Sequence, residues 1–435
     1  MRPIQAGDRA VTLLRGGTAP EDVAALSRAL LARLEDKGLL AAGPHPPATA
    51  PARGDRSLLV PVAPDEEPGG VLADLGRRLG EVPLATDLIL RTSGSTTGTG
   101  RLVAMSAEAL VTSARATHAR LDGPGRWVLA LPAHHVAGLQ VLVRSAVAGT
   151  APVVVDGRRG FCPRELAGAV RAAVRAGGPP VYTSLVPTQL HAVLAPGQER
   201  WAADLARAAG ILIGGAAADP DLLARARRAG LRVVTTYGMS ETGGGCVYDG
   251  LPLDGVSVRI EDAGPDGVGR IILAGPVLAE GYVEASGVAS FPGEELVTAD
   301  RGRIGHDGRL EVLGRIDDLI VTGGVKVDPR QVEQVLLDLP GVGQACVVGL
   351  PDPRWGSAVA AAVVPQAGAC LDPETIRALA RERLGGVRAP KTVALLAELP
   401  VRGPGKVDRQ ALVERLTRAA PRSRAGGAVG SQADG

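Results

Sequence analysis

From about residue 85 onward, short apolar runs alternate with longer amphipathic stretches. The runs are Leu88-Ile89-Leu90, Trp127-Val128-Leu129-Ala130-Leu131, Pro152-Val153-Val154-Val155, Val181-Tyr182-Thr183-Ser184-Leu185, Ile211-Leu212-Ile213 and Leu231-Arg232-Val233-Val234. Runs of this length, spaced by helix-sized segments, predict an α/β fold with parallel strands in doubly wound sheets. Before them, Val23, Leu26, Leu30, Leu31 and Leu34 recur at helical spacing and predict a helix over 20–42. A Pro/Ala/Gly stretch at 43–51 then reads as a loop.

Beyond residue 250 the texture turns β-rich, as in Val256-Ser257-Val258-Arg259-Ile260 and Gly269-Arg270-Ile271-Ile272-Leu273. A boundary is expected at Gly314-Arg315-Ile316-Asp317-Asp318, followed by a small α+β domain. There Asp328-Pro329-Arg330-Gln331 opens one helix and Asp372-Pro373-Glu374 a second, with Ala345-Cys346-Val347-Val348 as a strand between. The expected domains are therefore 1–316 and 317–418, with a small, polar, disordered tail at 419–435.

Composition narrows the function classes. A formal net charge of +2 gives no polyanion field, and aromatics at 2% leave little for base-stacking platforms, so nucleic acid is not expected as a partner. Cys162, Cys246, Cys346 and Cys370 form no CxxC pair, which argues against zinc and disulfides and for a reducing cytoplasm. The sequence holds no uncharged apolar run of ~18 residues, so no membrane span is expected, and the N-terminus lacks an apolar signal core. Assembly state stays open, a homo-oligomer included.

Several strands feed directly into polar or Gly-rich segments, and open parallel sheets bind ligands beyond the carboxyl ends of their strands. The segment Thr92-Ser93-Gly94-Ser95-Thr96-Thr97-Gly98-Thr99-Gly100-Arg101 sits between a strand and a helix that Ser106 can cap. Its glycines, hydroxyls and one cation suit a phosphate cradle, although it lacks Walker spacing and such loops also occur as plain loops. In Tyr237-Gly238-Met239-Ser240-Glu241-Thr242-Gly243 an aromatic can stack on a base and a carboxylate can hold Mg²⁺; the alternative is a turn with an exposed Glu. His134 and His135 either line a pocket mouth or serve structure. In Thr298-Ala299-Asp300 and Gly314-Arg315, the Asp can accept ribose hydroxyls and the Arg can meet a phosphate. Only four of the 48 basic residues are lysine, and one, Lys406, lies in the turn Gly403-Pro404-Gly405-Lys406. That placement reads either as chemistry specific to a compact ammonium or as a chance surface Lys.

In this order the segments resemble the adenylate-forming superfamily of acyl-CoA ligases, luciferases and peptide-synthetase adenylation domains, over about residues 85–415. The resemblance implies a large N-terminal domain and a mobile C-terminal lid hinged at Asp317, with ATP, Mg²⁺, coenzyme A and a small carboxylic acid as ligands. It implies that Thr92, Ser93, Gly94, Ser95, Thr96, Thr97, Gly98 and Arg101 hold the ATP phosphates. Gly214, Gly215, Ala216, Tyr237 and Gly238 would enclose adenine, while Ser240 and Glu241 take phosphate and Mg²⁺. Asp300 takes the ribose hydroxyls, and Arg315 supports the nucleotide. Lys406 would act in adenylation, and Gly323, Gly324 and Lys326 would belong to a lid loop facing the thioester step.

The chain departs from the family pattern in an extra Thr in the phosphate loop, in Gly100-Arg101 where Pro-Lys is usual, in Ala299 for Gly, and in Val321 where many members carry Lys. The runs Thr183-Ser184-Leu185-Val186-Pro187-Thr188-Gln189-Leu190, Gly138–Ser145 and Gly244–Gly250 resemble members that join an aromatic acid bearing a second carboxylate to coenzyme A. For such an acid, His135, Arg144, Ser184 and Thr188 are the expected substrate contacts, with Arg144 pairing the spectator carboxylate and His135 expected, with Lys406 and Glu241, as a catalytic residue. An ordinary surface ion pair is the other reading of Arg144.

Overall fold

The computed structural model describes residues 5–6, 9–40, 56–92, 100–366, 368–402 and 406–419. The expected disordered tail lies outside them, apart from Ala419 at the end of the Arg409–Ala419 helix. The chain divides into two compact units, with the principal division between Ile316 and Asp317.

Two seven-stranded sheets and a four-stranded sheet build the first unit. In the second of them Val153–Val154, Arg126–Leu129, Val181–Leu185, Gly210–Ile213 and Val233–Met239 run parallel in that spatial order. These are the apolar runs of the sequence, and their side chains are mostly inaccessible because helices cover both faces. The other seven-stranded sheet joins Arg9–Arg15, Leu58–Val62 and Thr86–Arg91 in parallel, then Leu102–Ser106 and Gly281–Glu284 antiparallel. Ser257–Glu261, Gly269–Ala274, Glu295–Ile304 and Leu310–Arg315 form an antiparallel sheet, as the β-rich texture beyond residue 250 predicted.

The helices Ala107–Arg120 and Val136–Val147 share one apolar cluster with residues of both large sheets. Ser106 caps the first by accepting from the Ala109 amide at 3.3 Å, as the sequence suggested. Its other anchor is Asp87, which accepts from the Ala107 amide at 2.8 Å and meets Arg33 at 2.9 Å and Lys37 at 2.8 Å. Removing Asp87 would strip the buried Arg33 charge of this carboxylate, at a cost of about 3–5 kcal/mol.

The first helix spans Pro20–Asp36, shorter than the predicted 20–42. Gly38 adopts φ +65°, Gly38 N donates to Glu35 O and Leu39 N to Leu34 O, which is the paired bonding of a Schellman stop.

In the second unit, Val342–Asp352 and Gly356–Pro365 form a long antiparallel pair, with Thr392–Leu395 added in parallel. The helices begin where their capping residues predict: Asp328 accepts from Arg330 N at 2.9 Å before Pro329–Leu337, and Asp372 from Thr375 N at 2.8 Å before Pro373–Leu384.

One buried polar cluster of the first unit titrates. His118 accepts from Trp127 Nε1 at 3.3 Å, and burial together with the nearby Arg144 charge lowers its pKa to about 4. Since the unfolded chain binds this proton near pH 6.5, stability from the neutral imidazole is complete above that pH and declines as pH falls toward 4. The full difference is about 3 kcal/mol. Equilibrium unfolding at pH 7 and pH 4.5 should show His118→Gln losing less stability on acidification than the parent chain.

Candidate functional site

Tyr237 leaves the parallel sheet at a register shift between Tyr237 and Gly238. A Cβ on Gly238 would lie 2.0 Å from Gly244 O, so only glycine permits this turn. The Tyr237 hydroxyl donates to Asp300 Oδ2 at 2.7 Å. Asp300 stands opposite Arg315 in the neighbouring strand, with 3.8 Å between Oδ1 and Nη1. Thr298 Oγ1 accepts from Asp300 N at 3.0 Å. Burial and the Asp300 charge push the Tyr237 phenol well above its ordinary range, so it stays a donor. Gly214 and Gly215 follow the adjacent strand; a Cβ on Gly214 would lie 2.2 Å from Thr236 Oγ1, and Gly215 has φ +80°. Gly214, Gly215, Tyr237, Asp300 and Arg315 are thus brought onto adjoining strands and strand ends.

The Ser240–Thr242 turn is closed by Thr242 Oγ1, which accepts from Met239 N at 2.9 Å and donates to Gly244 O at 2.6 Å. Glu241 is buried, and its Oε1 accepts from the Tyr282 hydroxyl at 2.8 Å. The Arg101 guanidinium carbon stands 3.3 Å from the centre of the Tyr282 ring. Of the expected phosphate loop, Ser93, Gly94, Ser95, Thr96, Thr97 and Gly98 lie outside the described residues. Its base is described: Thr92 N donates to Arg101 O at 2.9 Å, and Arg101 N to Thr92 Oγ1 at 2.8 Å. Gly100 fits this closure because a Cβ there would sit 1.7 Å from Thr92 O.

His135 precedes the Val136–Val147 helix, while His134 Nδ1 accepts from Gly17 N at 3.0 Å. Burial lowers the His134 pKa, which keeps that acceptor available. Arg144 is 3% exposed and does not form a surface ion pair. Its guanidinium lies 4.9 Å from the Trp127 ring centre and donates from Nη2 to the Tyr248 hydroxyl at 3.2 Å; its buried Nε has no hydrogen-bond partner. Ser184 Oγ is likewise buried without a partner. Thr188 is exposed and lines a cavity of about 250 Å³ with Thr18, Pro132, Val155, Phe161 and Gln189. Arg144 and Ser184 are not among its lining residues, so the structure divides the expected substrate contacts between a core cluster and a cavity.

In the second unit, Gly323 and Gly324 form a two-residue hairpin with φ +55° and +80°. A Cβ on Gly323 would strike the Trp355 ring at 2.7 Å. Lys326 pairs across the hairpin with Val321. Lys406, which groups with the first unit, begins the short strand Lys406–Val407, and its side chain lies outside the described ones. Asp317 is the first residue of this unit.

Tyr282, Tyr248, Trp127 and His118 escaped the sequence reading. Tyr282 and Tyr248 act through partners distant in sequence, while His118 and Trp127 meet each other nine residues apart; the available local signal was only the Gly281-Tyr282 step.

Residues 80–283 match the AMP-binding enzyme family, and residues 331–406 match the AMP-binding enzyme C-terminal domain. A probable 2-succinylbenzoate–CoA ligase of Mycobacterium tuberculosis is 45% identical over 335 residues, covering 76% of this chain and 84% of the relative. A feruloyl-CoA synthase of an Amycolatopsis species is 36% identical over 245 residues, covering 51% of this chain and 49% of that protein. In fold, the chain is similar to the o-succinylbenzoate CoA synthetase of Bacillus subtilis solved with its acyl-adenylate intermediate: TM-score 0.68, 23% identity, covering 93% of this chain and 95% of that one. With both halves of the family matched and a close relative covered over most of its length, the chain belongs to the AMP-binding enzymes.

Proposed function

We propose that this protein is an acid–thiol ligase that converts 2-succinylbenzoate, ATP and coenzyme A into succinylbenzoyl-CoA, AMP and pyrophosphate, a step of menaquinone biosynthesis. The geometric observation that carries the substrate assignment is Arg144: a guanidinium buried without a carboxylate, with an unpartnered Nε, matches a ligand that brings its own anion. Burial lowers the Arg144 pKa, so a negative partner would restore the preference for the charged form.

In the first half-reaction the succinyl carboxylate oxygen attacks the α-phosphorus, the bond to the β-phosphate oxygen breaks, and pyrophosphate leaves. In the second, the coenzyme A sulfur forms a bond to the acyl carbon, AMP departs with the carboxylate oxygen, and the thiol proton goes to solvent. The residues proposed for these steps act by placing and neutralising charge. Tyr237 offers a ring face to adenine while its hydroxyl holds Asp300, leaving that carboxylate to meet the ribose hydroxyls. Arg315 offsets the Asp300 charge and is proposed to support the nucleotide, and Arg101 supplies the cation usually given by Lys. Glu241 and Ser240 are hard oxygen donors and so fit magnesium; one carboxylate leaves most of its shell to phosphate oxygens and water. When bound with the triphosphate, magnesium offsets charge on the departing pyrophosphate. His135 is proposed beside the acyl group, with Ser184 and Thr188 as further acid contacts. Lys406 is proposed to stabilise charge during adenylation, Asp317 to be the hinge, and Gly323, Gly324 and Lys326 to face coenzyme A in the thioester step.

The cavity beside Thr188, walled by Val155, Val186 and Phe161, favours a second reading, in which another aryl or fatty acid is activated. A nucleotide-binding protein without catalysis is the remaining alternative. Pyrophosphate release and product mass with 2-succinylbenzoate, ferulate, benzoate and a medium-chain acid, each with and without coenzyme A, decide among them. The expected product is succinylbenzoyl-CoA; turnover of a different acid alone overturns the substrate, and no pyrophosphate with any acid overturns the ligase.

Two substitutions refine the assignment. Arg144→Ala should raise the KM for 2-succinylbenzoate by about 10- to 100-fold, the range for a lost charged hydrogen bond, with the KM for ATP little changed. Equal rises in both would refute an acid-specific role. Lys406→Ala should slow acyl-adenylate formation by about 100-fold or more, yet leave conversion of preformed adenylate to thioester nearly intact. Stopped-flow comparison of the two half-reactions checks this, and equal losses would contradict it.

A further inference from the structure

We infer that Tyr282 is a positioning residue that holds both charged groups of the phosphate-handling corner, the Arg101 cation and the Glu241 carboxylate. Its hydroxyl donates to Glu241 Oε1 at 2.8 Å, and the Arg101 guanidinium lies 3.3 Å above its ring centre. One side chain therefore meets two opposite charges by two different means, a directed hydrogen bond and a ring face. Tyr282 is itself held. Phe291 packs on it edge-on at 5.4 Å and 83°. Tyr282 pairs with Val103, two residues beyond Arg101, and Gly281 is required because a Cβ there would lie 2.2 Å from Ala289 O. Upstream, Ala279 N donates to Glu241 O at 2.8 Å, Glu280 N donates to Ala104 O at 2.9 Å, and Thr86 bonds the Glu280 carboxylate.

This arrangement gives a physical account of the departure at position 101. A planar guanidinium stacks on an aromatic face, whereas an ammonium is a compact, strongly hydrated charge that gains less there. Stacking on the ring fixes where the Arg101 charge stands. With one Glu241 oxygen fixed by the phenol, the carboxylate is held in one orientation, as a group binding a hydrated cation requires. The inference rests on the nucleotide assignment of this corner proposed above, and not on the identity of the acid.

The test is a set of MgATP dissociation constants, measured without acid substrate, for the parent chain, Arg101→Ala, Arg101→Lys, Tyr282→Leu, Tyr282→Phe and the Arg101→Ala/Tyr282→Leu double variant, with thermal melting run alongside. Arg101→Ala and Tyr282→Leu should each weaken binding about 3- to 30-fold, and the double variant should be little worse than either single one. Arg101→Lys should lose affinity in the parent background and lose nothing further in Tyr282→Leu. Tyr282→Phe keeps the ring, so ATP affinity at saturating magnesium should stay close to the parent while half-saturation by Mg²⁺ moves to higher concentration. Losses that multiply in the double variant overturn the Arg101 part, and an unmoved Mg²⁺ half-saturation in the folded Tyr282→Phe variant overturns the Glu241 part. Coupling found in a protein that makes no succinylbenzoyl-CoA would support this inference while refuting the proposed reaction.

Discussion

The carboxylate of Asp300 is the joint on which the candidate nucleotide site depends. Tyr237 reaches it from the parallel sheet at 2.7 Å, and Arg315 faces it at 3.8 Å from the next strand of the antiparallel sheet. Thr298 holds its backbone amide at 3.0 Å. Two sheets of different construction are thereby fixed against each other at the carboxyl end of a parallel strand, where an open α/β sheet places ligands. Burial, together with the Asp300 charge and this bond, raises the Tyr237 phenol pKa, which keeps the hydroxyl a donor.

Around that joint, glycine decides how closely the backbones approach. Gly238 and Gly214 stand where any Cβ would overlap a neighbour, so the chain can bend over the strand ends only with glycine there. Gly100 has the same role at the base of the candidate phosphate loop, where the Thr92–Arg101 closure leaves no room for a Cβ. An unusual Gly-Arg pair thus makes structural sense together: the glycine permits the closure, and the arginine finds an aromatic face that suits its planar head.

Much of this was legible along the chain. The apolar runs became the parallel strands because a strand covered on both faces needs apolar residues throughout, and Asp328, Asp372 and Ser106 capped helices because their side-chain oxygens satisfy free amides. The first helix stops early at Gly38, whose positive φ outweighs the apolar spacing that suggested continuation. Arg144 was legible either as the partner of a desolvated carboxylate or as a surface ion pair, and its burial depends on Trp127 and Tyr248 from other elements. Tyr282 was legible only as the local Gly281-Tyr282 step. The pairing of Gly281–Glu284 with Leu102–Ser106 brings Arg101 to it and the Ala279 N bond to Glu241 O brings Glu241, contacts between stretches distant in sequence.

The most direct test of Asp300 as that joint is the affinity of the protein for AMP and for 2′,3′-dideoxy-AMP, titrated for the parent chain and for Asp300→Ala. A carboxylate that meets both ribose hydroxyls should give the parent a preference for AMP of about tenfold or more, and the variant almost none. An equal preference in both proteins would contradict the assignment of Asp300.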